Sequence, residues 1–180
     1  AKDAAAMVLT DDNFATIVNA IEIGRTVYSN IKKSITYLLA GNLAAIIAIV
    51  FAVVMNWENP FTTLQLLFIN LINDSLPAIA LAFEAAEPDT MNKPPRDINE
   101  GILQGGTSAV ILIRGIIISI AVIFSQYLGN KVSPVLGAAM AFSTITLSRI
   151  FQTLPARSDN VSIFKIGVVK NKHVLGAIFI

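Results

Sequence analysis

The chain has 180 residues, of which 54% are hydrophobic and only 14% are charged, and its mean hydropathy is +0.68. This balance is too apolar for an ordinary soluble domain of that length and predicts a membrane protein. The absence of cysteine excludes disulfides and thiolate metal sites, and the single histidine argues against a zinc site. The net charge of +1 says little about partners, because the charges are clustered along the chain.

Residues 1–13 are polar, and Asp12 or Asn13 offers an N-cap for a helix that starts at Phe14. Apolar residues then recur at helical spacing, and no proline interrupts the chain before Pro60. We therefore expect one long helix, which is a cytosolic stalk over 14–34 and a membrane span over 35–55. That span supplies the roughly 20 apolar residues that a crossing requires.

Further apolar stretches follow, separated by short turns or polar loops. They predict a second span at 62–83, a loop at 84–108, a third span at 109–128, a fourth at 134–154, a loop at 155–172 and the start of a fifth span at 173–180. The predicted fold class is all-α, a polytopic transmembrane helical bundle with four complete spans and a long stalk helix. Because the chain starts without Met and stops inside an apolar run, we expect an internal piece of a larger protein.

The basic residues separate by membrane side. If the N-terminus is cytosolic, only Lys131 lies outside, whereas the cytosolic segments hold Lys2, Arg25, Lys32, Lys33, Lys93, Arg96, Arg157, Lys165, Lys170 and Lys172. This asymmetry follows the positive-inside rule and predicts a cytosolic N-terminus. The basic residues are spread over three segments and form no single patch, so we expect a lipid bilayer as partner and no nucleic acid.

The second span carries a carboxylate near its centre. Asp74 at mid-membrane costs roughly 2.5–3.5 kcal/mol on insertion scales, which makes such a residue a functional candidate. Asn70, Asn73 and Asp74 stand at i, i+3 and i+4 and so share one helix face. Pro77 has no N–H, so the Asn73 carbonyl loses its helical donor and becomes available to an ion. The alternative is a carboxylate neutralised by protonation or by a structural partner such as Arg149.

Two other polar residues lie in the predicted spans. Asn42 stands among small residues and either forms interhelical hydrogen bonds or, facing the second span across a tight hairpin, acts as a fourth ligand. Arg149 either extends to the cytosolic surface or is a fixed cation within the transport region. The candidate ligands are all oxygen donors, which favour calcium, magnesium, manganese or alkali ions. Calcium is the leading prediction and manganese the second, and the sequence does not decide between them.

Four segments carry a resemblance to a known family. They are Val8 to Phe14 together with Ile21 to Arg25, Tyr28 to Lys33, Asn70 to Ala78, and Pro94-Pro95-Arg96. With these segments the whole chain resembles the C-terminal membrane half of a P-type cation-transporting ATPase, of the group that contains the calcium pumps of sarcoplasmic reticulum and many bacteria. The resemblance implies that the predicted spans are the fifth to eighth transmembrane helices of the family and the start of the ninth, in a bacterial plasma membrane.

The resemblance also implies a set of metal ligands. Asn42 matches a fifth-helix ligand, Asn70 and Asp74 match sixth-helix ligands, and Asn73 stands where the sarcoplasmic pump has Thr. We therefore expect these four residues to hold the transported calcium or manganese ion.

Two positions depart from the sarcoplasmic pump. Ala45 and Arg149 stand where that pump has glutamates, which build one of its two calcium sites. Their loss implies one transported ion per cycle. We further expect the Arg149 guanidinium to occupy the vacated space as a built-in counter-charge.

The chemistry that the resemblance implies lies outside this chain. In the family, ATP phosphorylates an aspartate in an Asp-Lys-Thr-Gly sequence, which this chain lacks. The chain should therefore have no catalytic residue and no ATPase activity alone, while ATP and magnesium bind the full-length parent. Its partners would be the N-terminal membrane helices and the cytosolic domains of the same protein. The alternatives are a monovalent-cation pump of this family and a structural membrane fragment without independent ion binding.

Overall fold

The computed structural model describes residues 13–92, 94–95, 101–104, 106–158 and 171–179, and these residues form helices without any strand. In chain order the helices are α1 (Phe14–Val54), α2 (Thr63–Phe68), a π-helix (Ile69–Asn73), α3 (Ser75–Ala82), α4 (Thr107–Asn130), α5 (Pro134–Ala156) and α6 (Lys172–Phe179). Four helical stretches in this part of the chain are long and apolar enough to cross a membrane: α1, α2 through α3, α4 and α5. The predicted all-α transmembrane bundle is confirmed.

Several predicted segments lie outside the described residues. They are the predicted end of the phosphorylation domain at 1–13, apart from Asn13, and parts of both cytosolic loops: 93, 96–100 and 105 in the first, 159–170 in the second. The motif residue Arg96 and the basic residues Lys2, Lys93, Lys165 and Lys170 belong to these segments.

Helix α1 is one continuous helix of 41 residues. The Asn13 side chain caps it by accepting a hydrogen bond from the Ala15 N–H (3.0 Å). At about 1.5 Å per residue the helix is about 60 Å long, twice the ~30 Å hydrocarbon core of a bilayer. It therefore extends beyond the membrane. Small buried residues recur every fourth position along the face that contacts the bundle: Ala40, Ala44, Ala48 and Ala52.

The second span is broken in its middle. Thr62 and Gln65 form a capping box that starts α2, but the helix widens to a π-helix at Ile69–Asn73. There the Asp74 N–H donates to the Ile69 carbonyl, five residues back (2.8 Å). Pro77 cannot donate to the Asn73 carbonyl, and this missing bond lies just after the widened turn. The irregular backbone therefore coincides with the position of Asp74.

Helix α3 lies against α1, α5 and α6. Ser34 Oγ donates to the Ala78 carbonyl (2.9 Å), and Asn30 Nδ2 donates to the Ala82 carbonyl (3.3 Å), so α1 and α3 run antiparallel. The buried core around these contacts comprises Tyr37, Ala78, Ala80, Leu81, Ala156 and Val174. Helices from both ends of the chain are therefore packed around the element that follows Asp74.

Candidate cation site

The side chain of Asp74 is buried and paired with Arg149. Only 1% of Asp74 and 0% of Arg149 is exposed. Arg149 Nε donates to Asp74 Oδ1 (2.7 Å), and Arg149 Nη2 contacts Asp74 Oδ2. The pair is therefore bidentate and joins the break in the second span to the C-terminal half of α5, across 75 residues of sequence.

Helix α1 supplies the rest of the guanidinium's surroundings. Arg149 Nη1 donates to the Tyr37 carbonyl (2.9 Å), and the Arg149 Cζ atom lies 4.5 Å from the centre of the Tyr37 ring. A Cβ atom added to Gly41 would lie 1.2 Å from Nη1, so only glycine leaves room for this cation. Tyr37 and Gly41 are one helical turn apart, so they share the face of α1 that contacts Arg149.

The position of Arg149 excludes one of the two interpretations of that residue, a side chain that extends to the cytosolic surface. A side chain that extended to the cytosolic surface would be exposed at its tip, whereas every Arg149 nitrogen lies inside the bundle. Removing one partner from such a buried pair typically costs about 3–5 kcal/mol, because the other charge stays behind uncompensated. The alternative reading of Asp74, in which Arg149 neutralises it, therefore describes the arrangement seen in this structure.

The three candidate amide ligands lie in different surroundings. Asn73 is buried beside Asp74, and its Nδ2 atom has no hydrogen-bond partner among the described residues. Asn70 is exposed; its Nδ2 donates to the Leu66 carbonyl (2.8 Å), four residues back on the same helix. Asn42 is also exposed. Within the described residues, no hydrogen bond joins either exposed amide to Asp74.

Carboxylates do not cluster near Asp74. Over the part of the chain that the structure describes, no group of three or more His, Cys, Asp or Glu residues is placed to hold a metal. A cation at Asp74 would therefore need amide and backbone carbonyl oxygens as its other ligands within this chain. The Asn73 carbonyl, which lacks its helical donor because of Pro77, is one such oxygen.

Tyr37 and Gly41 contact Arg149, although the sequence does not mark either of them as part of the site. The available signal was their spacing: an aromatic residue and a glycine one turn apart, on the face of α1 that carries the buried alanines. That spacing predicts close approach of another helix. It does not show that the approaching group is a guanidinium.

Residues 58–180 match the family model described as "Cation transporting ATPase, C-terminus". The chain belongs to this family. It is 61% identical over 180 residues to a calcium-transporting ATPase of Listeria monocytogenes, and 63% identical over 178 residues to calcium-transporting ATPase 1 of Lactococcus lactis. Calcium-transporting ATPase 1 of Yarrowia lipolytica is 37% identical over 183 residues. The predicted resemblance to the calcium-pump group of P-type ATPases is confirmed.

These matches cover 98–100% of this chain but only 19–20% of each relative. The chain thus spans about a fifth of the length of the curated relatives that it matches. The aligned part contains the membrane-spanning helices and the Asp74–Arg149 pair. The remaining four fifths of each relative do not align with this chain.

Proposed function

We propose that this chain is the C-terminal membrane part of an ATP-driven pump that exports calcium, with manganese as a second possible cargo, through a single ion site at Asp74. The observation that carries this proposal is the buried carboxylate at a broken span, paired with a buried arginine. The names of the relatives support calcium as the ion. The phosphoryl-transfer step, with its ATP and magnesium, belongs to the part of the parent that this chain does not contain.

In this proposal Arg149 competes with the transported cation. The formal charges of Asp74 and Arg149 sum to zero, so the interior is neutral when no ion is bound. A divalent cation that binds the Asp74 oxygens must displace the guanidinium, which holds the same two oxygens. When the guanidinium returns, it favours release of the ion. Because the guanidinium remains within the bundle, it also takes the space of a second cation, which gives one ion per cycle.

The remaining ligands in this proposal are oxygens of the broken span and of α1. The Asn73 carbonyl and side chain lie beside Asp74. The Nδ2 atom of Asn70 is held by the Leu66 carbonyl, so its Oδ1 is the atom left for a cation. Asn42 would contribute from α1. Each of these groups is an oxygen donor of the kind that calcium and manganese accept.

Because Asn42 and Asn70 are exposed, we propose that further membrane helices of the parent pack against the surface on which they lie. Each amide is flanked by exposed apolar residues, Leu39 and Ile46 on α1 and Leu67 and Leu71 around Asn70. Polar groups facing lipid are costly, because lipid offers no hydrogen bonds. In the proposed pump the N-terminal membrane helices cover this surface and complete the site, and the N-terminus of α1 lies on the cytosolic side of a bacterial plasma membrane.

The test measures ATP hydrolysis by the full-length parent in the presence of magnesium and either calcium, manganese, sodium or potassium. Asp74→Asn keeps the shape of the side chain and removes its charge. We expect the calcium or manganese concentration for half-maximal stimulation to rise at least about tenfold, the equivalent of about 1.4 kcal/mol of binding. Glu58→Gln, which neutralises an exposed carboxylate in the turn after α1, is the matched control and should leave that concentration unchanged.

Each result of this test has one interpretation. If the calcium concentration for half-maximal stimulation is unchanged in Asp74→Asn, Asp74 and Arg149 are a structural pair and the proposed site is wrong. Stimulation by sodium or potassium, with none by calcium or manganese, would favour the monovalent-cation alternative. If none of the four ions stimulates ATP hydrolysis, the result would favour the remaining alternative, a structural membrane fragment without independent ion binding.

A further inference from the structure

A second buried cluster centres on Glu84, at the end of α3 away from the π-helix. Its side chain is 7% exposed and Arg157 is 1% exposed. Arg157 Nε donates to Glu84 Oε2 (3.0 Å), and Arg157 Nη2 donates to Glu84 Oε1 (2.8 Å). Asn171 Nδ2 also donates to Glu84 Oε2 (2.6 Å). The Glu84 backbone carbonyl accepts from Asn30 Nδ2 (2.6 Å).

Each residue of this cluster lies in a different helix or directly next to one. Glu84 follows α3, Arg157 follows α5, Asn30 lies on α1, and Asn171 immediately precedes α6. The Oδ1 atom of Asn171 accepts from the Val174 N–H (3.1 Å) and so also caps α6. Glu84 therefore joins four helices at one level of the bundle.

The Glu84–Arg157 and Asp74–Arg149 pairs connect the same two elements. Arg157 follows Arg149 by eight residues, or about 12 Å along a helix, and Glu84 follows Asp74 by ten residues, or about 15 Å. The order of the pairs is the same on both elements, so α3 and α5 run parallel and are bridged at two levels. The Glu84 bridge thereby sets the position of α5 relative to α3 along their common direction. This offset determines where Arg149 lies relative to Asp74.

The two bridges differ in how completely their carboxylates are held. Among the described residues, the Glu84 carboxylate accepts three side-chain hydrogen bonds from two residues, Arg157 and Asn171, whereas the contacts of the Asp74 carboxylate with a charged side chain come from Arg149. The last turn of α5 also needs support from outside, because Pro155 cannot donate to the Phe151 carbonyl. The Glu84 bridge supplies that support directly after α5 ends. The three hydrogen bonds on Glu84 suit a permanent contact, whereas a cation that binds Asp74 has to displace the Arg149 guanidinium.

From this arrangement we infer that Glu84 is a positioning residue for cation transport, which clamps Arg157 and so holds Arg149 opposite Asp74. The inference rests on the proposed function, since it assumes that Arg149 and the cation compete for Asp74. If the Glu84–Arg157 bridge is weakened, Arg149 is held less firmly opposite Asp74 and competes less well with the cation for that carboxylate. The cation should then bind at lower concentration, while its release, which the returning guanidinium promotes, becomes slower.

The test is a double-mutant cycle in the full-length parent, read as calcium-stimulated ATP hydrolysis. Glu84→Gln should lower KM for calcium at least about threefold and should lower kcat as well, within the range of couplings measured between residues of one network. In an Arg149→Met background, which has no guanidinium to position, Glu84→Gln should leave KM unchanged. Arg157→Lys keeps the charge and loses the bidentate geometry, so it should shift KM in the same direction as Glu84→Gln.

Glu87→Gln is the matched control, because Glu87 lies three residues further on and pairs with Lys33 of α1 (2.8 Å). It should leave KM for calcium unchanged. If Glu84→Gln lowers kcat alone, or changes KM by the same factor in both Arg149 backgrounds, Glu84 is merely structural and the inference is wrong. Should Glu84→Gln fail to fold, the same cycle is read with Arg157→Lys. Failure of the proposed function is recognised separately, as a half-maximal calcium concentration that is unchanged in Asp74→Asn.

Discussion

The substitution Gly41→Ala places a methyl group where the Arg149 guanidinium lies. A Cβ atom on Gly41 would be 1.2 Å from Nη1, 1.7 Å from Cζ and 2.3 Å from Nε of Arg149. Carbon atoms in contact are ordinarily about 3.5–4.0 Å apart. The guanidinium must therefore move away, and its bidentate bridge to Asp74 cannot persist in the present geometry.

The expected cost follows from two opposing effects. Breaking a buried ion pair while its charges stay inside costs about 3–5 kcal/mol. Alanine in place of a helical glycine stabilises by about 1 kcal/mol. We expect Gly41→Ala to lower the free energy of unfolding by about 2–4 kcal/mol. In an Arg149→Ala background the same substitution should stabilise by up to about 1 kcal/mol, because only the helix preference remains.

The assay is equilibrium unfolding of the full-length parent in mixed detergent micelles, with the four combinations of residues 41 and 149. Gly24→Ala is the control on the same helix, since no heavy atom lies within 4 Å of a Cβ added there. It should stabilise by up to about 1 kcal/mol in either background. If Gly41→Ala lowers the free energy of unfolding equally with and without Arg149, the prediction is wrong, because the loss would then not result from displacement of the guanidinium.

Two further substitutions test the surroundings of the ion pair. Tyr37→Leu removes the ring that faces Arg149 and should destabilise by about 2 kcal/mol in the same unfolding assay. Tyr37→Phe keeps that ring and loses the hydroxyl, whose contact with the Arg149 carbonyl is long (3.5 Å), so it should cost less than about 1 kcal/mol. Equal losses of unfolding free energy in Tyr37→Leu and Tyr37→Phe would contradict a role for the ring. Pro77→Ala gives the Asn73 carbonyl a helical donor, so it should stabilise by up to about 3 kcal/mol yet raise KM for calcium at least about threefold. Unchanged calcium stimulation in Pro77→Ala would show that this carbonyl is not a ligand.

The helical spans could be predicted because their causes are local. A run of apolar residues long enough to cross a bilayer must satisfy its backbone hydrogen bonds internally, which leaves a helix as the simplest solution. The grouping of Asn70, Asn73, Asp74 and Pro77 as a candidate site can be predicted for the same reason, since spacing and a missing N–H can be read within a few residues. In the structure Asn73 and Asp74 are buried, whereas Asn70 is exposed. The break that the structure shows there is a π-helix, a form that the sequence pattern did not specify.

The partner of Asp74 required the tertiary structure. The sequence left Arg149 with two readings, because the hydropathy of α5 is compatible with a side chain that reaches the surface and with one that points inward. Packing of α5 against α1 and α3 places the Arg149 side chain inside the bundle, and Gly41, which has no side chain, leaves the space that the guanidinium fills. The exposure of the Asn42 and Asn70 side chains likewise depends on tertiary packing, since it is set by which helices surround them.

The sequence by itself determined the class of protein, the membrane-spanning helices and the position of the one carboxylate in the broken span, because each depends on neighbours along the chain. Only the tertiary structure decided that Asp74 meets Arg149 and that Glu84 meets Arg157, across separations of 75 and 73 residues. Such pairs depend on the relative position and rotation of whole helices. Those are set by the sum of many packing contacts between residues far apart in the sequence. The spacing of small residues along one helix predicts that another helix approaches, but it does not specify which residue of that helix fills the space.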